Sequence, residues 1–295
     1  MVVMNIGYAC INTEINCTSN STFRLKSYSE EKLRETIKNN LICLKKILEF
    51  NVEHNILFFR IGSNLIPFAS HEIFDFDWKK YFKNELEDVG KYIKINNLRV
   101  SMHPGQYIVL NSNNKNVVEK SIIDIQYHCD VLDAMKLGED CKIELHVGGI
   151  YGDKSSAIKQ FINNYKRLNS NIKKRLVIEN DDKSYSLKDC LDISKVLNIP
   201  VVFDVFHHEC LNNKESFIEG IRLTNKTWKP KDGKQFIHYS DQKANAKRGS
   251  HSETIDLKKF KIFLKEIKQF DLDIMLEVKD KEQSVLKIHT ELNKK

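Results

Sequence analysis

The chain has 295 residues, of which 41% are hydrophobic and 29% charged, and 47 Lys and Arg against 40 Asp and Glu give a formal charge of +7. That balance excludes an intrinsically disordered chain, and no apolar run is long enough to span a bilayer, so a folded protein with no membrane segment is expected. The length suits one large α/β barrel.

In chain order, short apolar runs occur at 2–9, 56–62, 98–103, 142–148, 175–180, 200–206, 235–240 and 273–279. They are rich in Val, Ile and Phe and too short for helices, so they read as buried parallel strands. The first, within MVVMNIGYAC, lacks the basic region and cleavage site of a signal peptide, and a cytoplasmic protein is expected. The stretches between the runs carry helical spacing, at 27–50, 77–97, 115–136, 154–170, 184–198, 214–225, 256–269 and 280–293. In the first, Leu33, Ile37, Leu41, Leu44 and Leu48 fall on one face, and Ser27 with Glu30 makes a capping box. In the fifth, Ser186 caps and Asp189 stands at the third position, with Leu187 and Leu191 in the buried stripe.

Eight strands, each followed by a helix, is the count of an α/β (β/α)8 TIM barrel, expected here as a single domain over 1–295. An open doubly wound sheet uses the same alternation, but no G-x-G-x-x-G follows any strand. No linker or low-complexity block divides the chain, and no heptad or apolar stripe suggests a dimer, so a monomer without an obligate protein partner is expected. Cys10, Cys17, Cys43, Cys129, Cys141, Cys190 and Cys210 are odd in number, with no C-x-x-C pair. Reduced, mostly buried thiols are expected, neither a disulfide frame nor a thiolate zinc site.

The positive charge is uneven. Residues 224–248 hold Lys226, Lys229, Lys231, Lys234, Lys243, Lys247 and Arg248 against Asp232 and Asp241. Such an excess suits a polyanion, though it also reads as a solvated lysine-rich surface.

The strand ends carry the chemistry. Strand three ends in His103, four in His146, five in Glu179 and six in Asp204, with His207 just beyond. Strand seven carries His238, its loop His251, and strand eight ends in Glu277. In a barrel these positions converge at the C-terminal mouth. Unpartnered buried charge is costly, and a cation removes the cost, because carboxylates and neutral imidazoles ligate Mn²⁺, Zn²⁺ or Fe²⁺. Eight candidates exceed one ion's needs, so two or three divalent ions fit better. Singly, each residue has a structural reading: Glu179 in an ion pair with Lys183, Asp204 as a helix cap, a strand-end histidine as a hydrogen-bonded rim residue. Glu144 shares the parity of His146 and is placed behind the ligands; His208 is placed behind them or at the surface. His54, His71, His128 and His289 read as structural or solvated.

The motifs IGYACIN (6–12), MHPGQY (102–107), LHVGG (145–149), IENDD (178–182), DVFHH (204–208), IHYS (237–240), GSH (249–251) and MLEVK (275–279) resemble, in that order, the ultraviolet-damage endonucleases. The resemblance implies a barrel enzyme with clustered divalent ions, acting on damaged double-stranded DNA and cutting immediately 5′ of the lesion. Its ion ligands fall on His103, His146, Glu179, Asp204, His207, His238, His251 and Glu277. Its lesion-probing pair falls on Gln106 and Tyr107, and its first-loop pocket residues on Tyr8 and Asn12. One position departs: a member of that family carries a modified lysine two residues before the seventh-strand histidine, where this chain has Phe236, which leaves the ion count open.

The expected activity is therefore a metal-dependent nick beside UV photoproducts and other distorting lesions, by attack of a metal-activated water on the phosphodiester. Mn²⁺ is the first choice of cofactor, with Zn²⁺ or Mg²⁺ as alternatives. Glu179, Asp204 and Glu277 are the catalytic carboxylates, with Glu179 and Glu277 bridging ions. Lys243, Lys247 and Arg248 are placed on DNA phosphates, and Trp228 in packing. Two rival readings use the same residues: a metal-dependent sugar isomerase or epimerase, and a non-catalytic lesion-binding protein.

Overall fold

The computed structural model describes residues 4–293; part of the first predicted strand lies outside them. The strands are β1 Ile6–Ala9, β2 Phe58–Ile61, β3 Arg99–Met102, β4 Ile143–His146, β5 Leu176–Glu179, β6 Val201–Asp204, β7 Gln235–Tyr239 and β8 Leu272–Leu276. The helices are α1 Glu30–Glu53, α2 Trp78–Tyr81, α3 Lys83–Ile95, α4 Lys115–Ala134, α5 Lys154–Arg167, α6 Ser170–Arg175, α7 Leu187–Leu197, α8 Val205–Cys210, α9 Phe217–Asn225, α10 Leu257–Ile267 and α11 Glu282–Leu292. All eight strands are parallel and pair in sequence order, and β8 closes on β1 with Ile6 opposite Ile274. The expected TIM barrel is the observed one.

The period of two along each strand explains the interior. Phe58, Val177, Val202, Phe236 and Met275 point inward, and with Ala9 they form one apolar layer across the barrel. Two residues further along the same strands come Arg60, Glu179, Asp204, His238 and Glu277. One layer of core side chains therefore serves as the floor of a charged mouth. Below that layer Arg99 bonds Asp273 at 2.8 Å and Lys142 bonds Asp232 at 2.6 Å. The outward residues of the strands pack against the helices in one continuous core.

Some local expectations change. The first helix starts at Glu30, where Ser29, in extended conformation, accepts from the Lys32 N–H; Ser27 lies in a preceding 3-10 turn and caps nothing. The predicted helix 77–97 divides at Phe82 into α2 and α3. The Ser186–Asp189 capping box stands. Cys17 and Cys43 form a disulfide, against the expectation of reduced thiols throughout. The loop after β1 folds onto α1 and brings the two Cα atoms to 5.9 Å across 26 residues of sequence, a proximity that cysteine spacing does not reveal. The remaining thiols are free. No helix among the described residues is long and apolar enough to cross a membrane.

Candidate active site

All eight predicted ligands meet at the C-terminal mouth. Glu179, the last residue of β5 and almost wholly buried, is the hub. Its Oε2 lies 3.3 Å from His103 Nε2 and 3.9 Å from His146 Nε2, while Oε1 lies 2.9 Å from His238 Nδ1 and 3.4 Å from His207 Nδ1. The predicted Lys183 partner is absent from this hub, because Lys183 pairs with Asp182 at 3.0 Å. Asp204 ends β6 and caps α8, its Oδ1 accepting from the His207 N–H at 2.6 Å. The same turn sets Asp204 Oδ2 3.4 Å from His207 Nδ1. The structural and the ligating readings of Asp204 thus use different oxygens. Glu277, one residue past β8, lies 3.6 Å from His238 Nδ1 and 3.9 Å from His251 Nε2.

Four sets of donor atoms lie close enough to share a cation: His103–His146–Glu179, Glu179–Asp204–His207, Asp204–His238–Glu277 and Glu144–Glu179–His238. Each mixes oxygen and nitrogen donors, as Mn²⁺ or Zn²⁺ accepts. Asp204 Oδ2, His146 Nδ1, His251 Nδ1 and Glu144 Oε1 are buried without a hydrogen-bond partner. His103 Nδ1 is 2.8 Å from the Pro104 carbonyl, so its Nε2 is left toward Glu179, as in an oriented metal ligand. The residues present therefore fit divalent cations.

Without a cation, protons take its place. Burial by itself would lower the pKa of His207, but Asp204, Glu179 and Glu277 outweigh it and push the value up to about 11. His238 is pushed up to about 10 in the same way, by Glu179 and then by Glu277 and Glu144 against burial and Arg60. Burial raises Asp204 to about 6, with Glu179 and Glu277 opposing the pull of His207. Glu179 and Glu277 are held below their ordinary value despite burial, Glu179 chiefly by the imidazoles of His238 and His146 and Glu277 chiefly by Arg60 and His238.

One charged residue of this site, Arg60, was not assigned to it from sequence, and a second, Glu144, was placed behind the ligands. Arg60, on β2, donates from Nη1 to Glu277 Oε1 and from Nη2 to Glu144 Oε2, both at 2.5 Å. Glu144 is wholly buried and lies 2.8 Å from His238 Nε2, nearer the centre than its predicted place behind the ligands. The signal for Arg60 was present: a lone charge in the apolar run ILFFRIG, at the inward parity of Phe58. His208 stays outside the site, its Nε2 3.0 Å from the Glu215 carbonyl. Phe236 lies in the apolar layer, stacked below His238 with ring centroids 5.9 Å apart, and offers no donor atom.

A cavity of about 500 Å³ opens beside the cluster, lined by His103, His146 and His207 together with Gln106, Tyr107 and Tyr151. The Tyr107 ring is 80% exposed, a costly place for an aromatic ring without a partner. Tyr8 and Asn12, the expected first-loop pocket residues, are not among the residues lining this cavity. Asn12 donates to the Tyr8 hydroxyl, which donates to Asn51 Oδ1 at 2.7 Å, and both side chains are buried. Lys243 pairs with Glu253, and Arg248 donates to the Glu209 carbonyl at 2.9 Å, so both are tethered at the rim, while Lys247 is exposed. Trp228 donates to the Val201 carbonyl at 2.9 Å, a packing role as expected.

The sequence model of the family described as UV-endonuclease UvdE matches residues 4–295. The chain belongs to the UV-endonuclease UvdE family. A curated relative, the UV DNA damage endonuclease of Clostridium perfringens (strain 13 / Type A), is 50% identical over 96% of this chain and 69% of its own. The UV DNA damage endonuclease of Bacillus cereus (strain G9842) is 32% identical over 99% of this chain and 95% of its own. The crystal structure of SacUVDE superposes with a TM-score of 0.94 at 47% identity, covering 99% of this chain and 100% of that one. A D-psicose 3-epimerase with D-tagatose from Clostridium cellulolyticum H10 shares the fold, at a TM-score of 0.53 and 13% identity over 79% of each chain. This member of the UV-endonuclease family is a DNA repair endonuclease, with buried acidic and histidine groups able to hold metal at the mouth of its barrel.

Proposed function

We propose that the chain, acting as one barrel domain and as a cytoplasmic monomer, nicks damaged duplex DNA immediately 5′ of UV photoproducts in a metal-dependent hydrolysis. The observation that carries this is Glu179, buried between four imidazoles with an unpartnered Asp204 oxygen beside it. When bound, two or three divalent cations, Mn²⁺ in the first place, neutralise the phosphodiester, activate a water and stabilise the departing 3′ oxygen. Glu179, which belongs to three of the four donor sets, would serve more than one ion, and Glu277 would hold an ion together with Asp204 and His238. His103 and His146 hold the side nearest the cavity, Asp204 and His207 the side toward α8, and His251 the rim above Glu277.

Recognition falls to the loop after β3. Pro104-Gly105 turns the backbone just past His103, so Gln106 and Tyr107 stand at the cavity edge. A tyrosine ring replaces a lost stacking partner, and a glutamine amide bonds exposed base edges. A damaged step is already poorly stacked, so opening it costs less than opening intact duplex. Lys243, Lys247 and Arg248 face the phosphates.

The test is a nicking assay on irradiated duplex with Mn²⁺, Mg²⁺, Zn²⁺ or EDTA. Nicks with 3′-hydroxyl ends at the 5′ side of photoproducts, lost in EDTA, are expected. Gln106→Ala combined with Tyr107→Ala should lose that cutting while retaining bound metal. Cutting that persists in EDTA would overturn the metal reading, and an unimpaired double variant would overturn the probing pair.

A further inference from the structure

We propose that Ser63 and Ser121 are positioning residues that brace the probing pair: they pin the two ends of the turn on which Gln106 and Tyr107 stand. The inference rests on the reading of that pair as the lesion probe. The Ile108 N–H donates to the Gly105 carbonyl at 2.9 Å, so Gln106 and Tyr107 are the two central residues of a hydrogen-bonded turn. Both are exposed, whereas Pro104 before them is buried and Ile108 after them packs against the core. Backbone freedom at glycine does not fix this shape. Gly105 lies outside the left-handed region, and a Cβ built on it would meet nothing within 4 Å. The turn is held at its ends. At the entrance the Ser63 hydroxyl donates to the His103 carbonyl at 2.8 Å. At the exit the Val109 N–H donates to Ser121 Oγ at 3.0 Å, and that hydroxyl donates on to the Val117 carbonyl at 2.8 Å.

Both braces rest on α4. Ser121 belongs to that helix and is 1% exposed. Tyr127, further along the same helix, donates from its hydroxyl to the Ser63 carbonyl at 2.8 Å and accepts the Ile66 N–H at 3.1 Å, which fixes the loop after β2. One helix therefore sets the position of both feet of the turn and leaves its exposed tip to meet DNA. The serine bonds to the turn are made to backbone groups, so each serine acts through the main chain and not through the probing side chains. An unbraced turn would have to be ordered as it enters the duplex, and that entropy would be taken from the binding energy. A braced turn has already been ordered by folding.

The test measures binding of the full chain, by fluorescence anisotropy in EDTA, to a duplex carrying a UV photoproduct and to the same duplex intact. Ser63→Ala and Ser121→Ala should each weaken binding to the damaged duplex ~3–10-fold, the worth of one hydrogen bond, and leave binding to the intact duplex unchanged. Ser63→Thr, which keeps the hydroxyl, should keep the wild-type preference. In a Gln106→Ala, Tyr107→Ala background the serine substitutions should have no further effect, because the braces then have no probe to hold. A further loss in that background, an equal loss on intact duplex, or an unchanged preference in both alanine variants overturns the proposal. Should Ser121→Ala fail to fold, Ser63→Ala with its Ser63→Thr control decides. A Gln106→Ala, Tyr107→Ala protein that still prefers the damaged duplex would instead sink the probing pair, and this inference with it.

Discussion

The two ends of the barrel interior solve the same problem differently. At the N-terminal floor, buried acids meet fixed cations: Asp273 takes Arg99 and Lys234 at 2.8 Å each, and Asp232 takes Lys142 at 2.6 Å. At the mouth, Glu144, Glu179, Asp204 and Glu277 gather around the single guanidinium of Arg60, and imidazoles make up the rest of the wall. The floor is neutralised by its own chain. The mouth is left short of permanent positive charge, so protons on His207 and His238, or divalent ions, must supply it. A buried ion pair mainly secures the fold, whereas a buried deficit of charge creates a binding site at some cost to stability.

The sharpest way to break that comparison is to remove the hub. Glu179→Gln keeps shape but removes the charge that four imidazoles share, and nicking should fall at least about a thousandfold, ~4 kcal/mol in the barrier. Bound metal should fall with it, by elemental analysis, while folding persists. Near-wild-type nicking would remove Glu179 from the site. At the floor the expectation reverses. Lys142→Met strands the Asp232 carboxylate and the Lys174 carbonyl, both of which the lysine now serves. Urea unfolding should show a loss of ~3–5 kcal/mol, with nicking per folded molecule unchanged. An equal loss of activity would show that the two ends are not separable.

The smallest effect is the most diagnostic. Asp204→Asn retains a side-chain oxygen for the α8 cap but deletes a carboxyl raised to about 6 by burial and by Glu179 and Glu277. A carboxyl with a raised folded pKa costs nothing below its unfolded value, costs progressively more as pH rises from ~4 to ~6, and costs a constant amount above. Metal-free Asp204→Asn should therefore be more stable than metal-free wild type by ~1–3 kcal/mol at pH 7, with the difference vanishing near pH 4. His207 and His238 run the opposite way: raised above their unfolded value, their contribution is complete below about pH 6.5 and disappears as pH climbs through about 10 and 11. Thermal melts in EDTA across that range test both signs. A metal-free Asp204→Asn less stable than wild type at pH 7 would mean that the mouth is not short of positive charge.

Much of this molecule was readable without coordinates. The alternation of apolar runs and amphipathic stretches specified eight strands and the order of the barrel, because backbone periods of two and 3.6 are local properties. The ligand positions were readable for the same reason: parity places Glu179 above Val177 and Asp204 above Val202 whatever else the chain does. Only closure of the sheet decided the rest. Arg60 on β2, Glu144 on β4 and His238 on β7 are not neighbouring strands, and they meet across the barrel through its curvature and register. The Cys17–Cys43 link likewise depends on how a long loop settles onto α1. Sequence carries direction along each strand; which side chains face one another across the lumen is a property of the assembled ring.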